Sequence, residues 1–144
     1  MIATWHVFAV STIVAAFLLL GTVIWWTLLQ PTDILTGVEN SDALVVQPDT
    51  VKTGSTISVY SSICKVRPYS ATVIRHFQDQ LIYNLPGFQS NEKVGCTPNG
   101  YVIEIPTNLP PDTYTYRVQF VYRINPLKEV TYEVVSNPFK VVKE

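Results

Sequence analysis

The sequence predicts an all-β fold, an antiparallel β-sandwich of about seven strands preceded by one N-terminal transmembrane helix. Two observations carry that prediction. Residues 7–29 form one uncharged, apolar stretch that nothing later in the chain repeats. From residue 43 onward the chain breaks into short runs rich in Val, Ile, Tyr, Thr and Phe, each bounded by Pro, Gly, Asn or Asp, and none of them has a helical period; this is the composition of strands and turns.

As a helix rising ~1.5 Å per residue, the apolar stretch is roughly 34 Å long, enough for a hydrocarbon core of ~30 Å. Its partner is therefore expected to be the lipid bilayer, through residues 7–29. Trp5 near one end and Trp25 and Trp26 near the other match an aromatic belt at the two interfaces. A cleaved signal peptide is the competing reading. Against it, residues 1–6 contain no Lys or Arg, the run exceeds the ~7–15 residues of a signal core, and residues 22–31 are filled by large side chains where a small-x-small cleavage site would lie. An uncleaved signal anchor over residues 1–29 is expected. The first charges after it are acidic, Asp33, Glu39, Asp42 and Asp49, and the first Lys is Lys52. By the positive-inside rule the N-terminus is expected in the cytoplasm and the C-terminal domain in a periplasmic or extracellular space.

Residues 30–42, with Pro31, Gly37 and scattered acids, read as a linker; a flexible segment of that size reaches roughly 20 Å. Strands are predicted at 43–47, stopped by Pro48-Asp49, and at 56–66, with Ile57, Val59, Ser61 and Ile63 sharing a face. A strand at 71–77 and a short one at 80–84 follow, then a loop over 86–100 and a strand at 101–106. Residues 113–125 alternate most clearly, with Tyr114, Tyr116, Val118, Phe120 and Tyr122 on one side and Arg117, Gln119 and Arg123 on the other. The last strand, 129–142, contains Pro138, which removes a backbone donor and predicts an interruption or a change of partner.

A net charge of −1 over 144 residues leaves no field for nucleic acid. Cys64 and Cys96 are the only cysteines, and one disulfide in an oxidising compartment fits them better than two unrelated free thiols. With Ile57, Val59 and Ile63 inward, Cys64 faces outward, so the bridge is expected to pin the 86–100 loop to an outer face or end. Outside the helix His76 is the single histidine, too few ligands for a blue-copper centre. The pair His76 and Asp79 falls on opposite faces of a strand. No nucleophile elbow or phosphate-cradling loop is present, so neither a catalytic role nor a cofactor or metal is expected.

The run Leu109-Pro110-Pro111-Asp112-Thr113-Tyr114 resembles the corner before strand F of immunoglobulin-like and fibronectin-type sandwiches, where a Tyr anchors the connection. Ser136-Asn137-Pro138-Phe139-Lys140-Val141 is similar to the closing strand of many bacterial and phage-encoded immunoglobulin-like domains. The resemblance covers residues 43–142 and implies an immunoglobulin-like sandwich over residues 43–144. It departs from antibody-type domains in its cysteines, because Cys96 precedes strand E. In that strand order Lys65, Arg67, Arg123 and Lys128 share the membrane-proximal end, a basic surface for anionic headgroups or an acidic partner. The implied function is a non-catalytic, membrane-anchored interaction module, of the kind phages encode to act at a host envelope, binding another envelope or virion protein. The alternative is a structural or accessory subunit of a larger membrane or virion assembly.

Overall fold

A computed structural model describes residues 2–40, 42–96 and 98–143, with the side chains of residues 2–8 and 99 outside the described set. The apolar stretch is a helix, α1 (Ile2–Ile24), whose last turn widens into a π-helical turn over Trp25–Leu29. Thr22 and Thr27 return their hydroxyls to the carbonyls of Leu19 and Val23, both at 2.8 Å, so neither presents an unpaired donor on an apolar helix. Over Ala9–Leu29 the helix is long and apolar enough to cross a membrane, and none of it is buried in the protein.

The rest is β structure. The strands are β1 (Leu35–Thr36), β2 (Leu44–Gln47), β3 (Thr50–Lys52), β4 (Thr56–Ser61), β5 (Cys64–Lys65), β6 (Ala71–Gln78), β7 (Ile82–Ser90), β8 (Asn99–Glu104), β9 (Thr113–Asn125), β10 (Lys128–Val135) and β11 (Phe139–Val142). One sheet has the order β2-β4-β8; the other runs β3-β11-β9-β6-β7, with β10 also paired to β9; β1 and β5 form a small ladder of their own. All pairings are antiparallel except β3 with β11. Side chains of both large sheets meet in one core that includes Val46, Ile57 and Val59 from one and Phe77, Tyr116 and Phe139 from the other. Along β9 the predicted inward residues Tyr114, Tyr116, Val118 and Tyr122 are buried, while Arg117 on the other face pairs with Glu133 at 3.1 Å.

The first predicted strand is β2, paired with β4 and ended by Pro48 as expected; beyond Pro48 the chain passes to the other sheet as β3, a strand not predicted, which pairs with β11. Pro138 interrupts the last predicted strand. There Ser136 keeps the ladder to Tyr116 by accepting the Tyr116 N–H on its hydroxyl (2.9 Å) and donating its own N–H to the Tyr116 carbonyl (2.9 Å). The Asn137 amide accepts the Val46 N–H at 2.7 Å and donates to the Val46 carbonyl at 3.1 Å. One side chain thus substitutes for a neighbouring strand and ties the edge of the first sheet to the second.

Two sequence expectations are corrected. The predicted loop over 86–100 is strand as far as Ser90: Pro86 and Gly87 form a bulge in β7, where the register with β6 slips between Val73 and Arg75. A Cβ on Gly87 would lie 3.0 Å from the Val73 carbonyl oxygen, so this position favours glycine. Pro86 is tolerated because β7 is an edge strand. The second correction concerns residues 30–42, expected to be a free tether. Ile34 and Leu35 are instead buried in the core, β1 pairs with β5, and the Tyr132 hydroxyl bonds both to the Ile34 N–H at 2.9 Å and to the Thr32 carbonyl. The two apolar side chains in a polar segment are the reason, since burial of each contributes on the order of 2 kcal/mol.

Asn137→Ala leaves the Val46 N–H and C=O without their side-chain partner, and unpaired buried polar groups are costly. The expected outcome is a loss of about 2 kcal/mol in urea unfolding of the full chain in mild detergent, with an unchanged strand signature in circular dichroism.

Candidate functional site

The β9–β10 turn lies against the end of the helix. Asn125 donates from its side-chain amide to the Trp26 carbonyl at 2.8 Å, and the Lys128 ammonium donates to the Gln30 carbonyl at 2.7 Å. Helix C-termini leave carbonyls without intrahelical partners, and here the hairpin supplies donors to that end of the chain. The ladders bring three further elements to the same end of the domain. The start of β6 pairs with Tyr122, the end of β7 pairs with the start of β6, and Gly95 of the 91–98 loop bridges to Lys65.

The four basic residues expected to share this end do not form one free surface. Arg123 is exposed, and Lys128 holds the helix end. Arg67 is paired with Asp33 at 3.1 Å, its guanidinium reaching both carboxylate oxygens. Lys65 is buried, 7% exposed, and donates its ammonium to the Glu92 carbonyl at 2.7 Å. It lies on the inward face of β5, the parity it shares with Ile57, Val59 and Ile63 in the predicted strand, and so is withdrawn from the expected basic surface. Trp25 and Trp26 are exposed at the helix end (54% and 45%); the side chain of Trp5, the third member of the expected belt, lies outside the described residues.

Cys64 and Cys96 form a disulfide. Cys64 is half-buried beside the inward Lys65, so the bridge ties residues 91–96 to β5. Reciprocal backbone bonds between Lys65 and Gly95, at 3.0 and 2.8 Å, reinforce it.

Beneath this loop a cavity of about 550 Å³ opens between the edges of the two sheets. Its walls come from β5, β6, β7, β8 and β9 and include Lys65, Arg75, Phe88, Tyr101, Phe120 and Tyr122. The Arg75 guanidinium lies 4.9 Å from the centre of the Phe88 ring and donates to the Pro86 carbonyl at 2.8 Å, while its Nε is buried without a hydrogen-bond partner. The β7 bulge produces this arrangement, because it turns the Pro86 carbonyl towards Arg75. The Tyr101 and Tyr116 hydroxyls are 3.4 Å apart across the two sheets. Burial raises the pKa of both, with nearby Arg75 partly opposing the rise. Tyr122 is pushed up to about 12, chiefly by burial and then by Glu92 and Tyr132. Of these cavity residues the sequence pointed only to Lys65, as part of a basic surface; the others become neighbours only through the β7 bulge and the disulfide-held loop.

His76 is buried, and burial holds its pKa below the usual imidazole value. Asp79 accepts the Leu81 N–H at 2.6 Å in the β6–β7 turn, a turn-capping role. Among the described residues no group of three or more His, Cys, Asp or Glu side chains is arranged to hold a metal ion.

No protein-family model and no curated protein sequence matches the chain. Solved structures with a low-scoring similarity to part of the chain include two. One is a chain from a structure concerning T cell specificity and activation by the bacterial superantigen toxic shock syndrome toxin-1, 11% identical, with a TM-score of 0.39 over 70% of this chain and 98% of that one. The other is the Pseudomonas fluorescens alkylpurine DNA glycosylase AlkC bound to DNA containing an abasic site analog, 14% identical, with a TM-score of 0.32 over 63% of this chain and 29% of that one.

Removing the bridge with Cys64→Ser and Cys96→Ser is expected to lower stability by roughly 3–4 kcal/mol in the chain-entropy treatment of a loop of this length, read as an earlier urea midpoint. Alkali is expected to act through the buried tyrosines. Their protons leave the unfolded chain near pH 10 but stay on the folded one, so stability is whole below that value and falls between about pH 10 and about 12, the range cited for Tyr122. Thermal unfolding followed from neutral to strongly alkaline pH checks this, and Tyr122→Phe is expected to flatten the fall.

Proposed function

We propose that this chain is a non-catalytic, single-pass membrane protein that displays an immunoglobulin-like interaction domain on the outer side of a membrane. The observation that carries the reading is the unburied apolar helix of Ala9–Leu29, joined to the domain through Asn125 and Lys128. A helix apolar on every face has no water-compatible side, and an aqueous setting would leave all of it wet. The domain also turns apolar loop tips towards the helix end: Val66, Val94 and Leu127 are 41%, 52% and 60% exposed. Such side chains, with Trp25 and Trp26, suit the interfacial layer of a bilayer. The disulfide fits an oxidising compartment.

Strand order supports the immunoglobulin-like reading. A first strand shared between two sheets, a three-stranded sheet β2-β4-β8 and a second sheet centred on β9 and β6 match that class. Tyr114, buried at the start of β9, donates its hydroxyl to the Pro110 carbonyl at 2.8 Å, the bond that defines a tyrosine corner. The partner of the displayed domain is another envelope or virion protein in this reading. Because the helix is held by the hairpin, the domain presents one defined side outward, with the Pro110-Pro111-Asp112 turn at the far end.

A bacterial alkaline phosphatase fused after Glu144 tests the topology, since that enzyme matures only where disulfides form. Activity of the fusion, with the protein in the membrane fraction after a carbonate wash, is expected. An inactive fusion, or release of the full chain by carbonate, would overturn the reading. Copurification in mild detergent separates the display module from a subunit of a larger assembly: a module runs free of other membrane proteins.

A further inference from the structure

We propose that the cavity between the sheet edges is a binding site for a small organic anion, a carboxylate carried on an apolar body. Three observations carry this, and none depends on what the helix crosses. The first is size: about 550 Å³ lies within the range of sites that enclose small molecules. The second is the balance of charge, with Lys65, Arg75 and Lys93 lining the space against the single carboxylate of Glu92. Lys65 is 93% buried, its exposure being 7%, and its described acceptor is a neutral carbonyl. Taking cations out of water is unfavourable unless counter-charge is near; three cations line the space against one carboxylate, and a ligand anion would offset the excess.

The third observation is the way Arg75 is held. Phe88 supports one face of its guanidinium, the Pro86 carbonyl takes one N–H and the Tyr116 hydroxyl lies beside it; the Nε is closed off from the cavity, so a carboxylate is met by the terminal N–H groups. A planar fork fixed in this manner is suited to a carboxylate, which accepts from two N–H groups at once. The Tyr101 hydroxyl on the opposite wall, which donates to the Tyr116 hydroxyl at 3.4 Å, adds a polar group to the same space. Val73, Val118 and Phe120 make the remaining wall apolar and accommodate the body of the ligand. The disulfide completes the site by tying residues 91–96 to β5, and these contribute Glu92 and Lys93 to the lining.

The test uses the full chain in detergent micelles, labelled with 3-fluorotyrosine and followed by fluorine magnetic resonance. The probes are 4-phenylbutanoate, the uncharged 4-phenylbutan-1-ol and 4-phenylbutylammonium. The expected result is a saturable shift of the Tyr101 and Tyr122 signals with the carboxylate, at least about tenfold weaker binding of the alcohol, and none of the ammonium. Arg75→Gln keeps a donor for the Pro86 carbonyl and is expected to weaken the carboxylate about tenfold while leaving the alcohol unchanged. Ser90→Trp, at a half-buried lining position, is expected to reduce binding of both. An unshifted Tyr114 signal in each variant reports an intact fold. Equal binding of carboxylate and alcohol, undiminished carboxylate binding by folded Arg75→Gln, or no saturable shift with any probe would overturn the proposal. Dodecanoate placed in the micelle distinguishes the source: displacement of 4-phenylbutanoate assigns the site to a membrane-derived carboxylate, and persistence of 4-phenylbutanoate assigns it to a water-soluble one. Both results uphold the shared chemistry.

Discussion

The backbone ladders on the two edges of β9 are the constraint from which the other parts take their positions. One edge of this 13-residue strand carries β6 along Thr115 to Tyr122, and the other carries β10 and then β11. Its inward side chains Tyr114, Tyr116, Val118 and Tyr122 form the spine of the core, with Phe77 and Phe139 packed on the rings at its start. Its first residues set the Tyr114 corner, and its last reaches the helix through Asn125. Because side chains alternate with a period of two, a slip of one residue would turn the core tyrosines to water and Arg117 inward. The register of the second sheet is therefore strongly specified.

The same strand pair explains why the chain after the helix is not a tether. Tyr132 of β10 grips the backbone of Thr32 and Ile34, Val66 donates its N–H to the Ile34 carbonyl, and Lys128 holds Gln30. A segment with a polar composition is thus ordered by two buried side chains and a set of backbone bonds, leaving little freedom between helix and domain. Burial of Ile34 and Leu35 also brings β1 alongside β5, next to the disulfide and the cavity wall. The junction and the cavity consequently share elements.

Legibility in the sequence followed the range of the interaction concerned. The bounds of β9 could be read because alternation is a local property of extended chain, and the break at Pro138 could be read because proline lacks a donor wherever it stands. Pro86-Gly87 misled for the same local reason. Proline and glycine together mark a turn, but as a bulge on an edge strand they remain inside β7. Lys65 has the parity of Ile57, Val59 and Ile63, so its inward side follows from alternation; what the sequence could not show is its acceptor, the Glu92 carbonyl, which the disulfide-held loop brings to it. Arg75 could not be placed from the sequence, because its surroundings come from Phe88, Pro86 and Tyr116, which lie on other strands.

By itself the sequence determined the apolar N-terminal helix, the β character of everything after it and the pairing of Cys64 with Cys96, because each depends on composition, period or count. Only the tertiary structure decided that residues 32–36 join the domain, that the basic residues are divided among a clasp, an ion pair, a buried position and an exposed one, and that a charged cavity exists. The reason is physical: these features are made by groups from separate strands meeting at a few ångströms, and strand pairing between distant segments sets those distances.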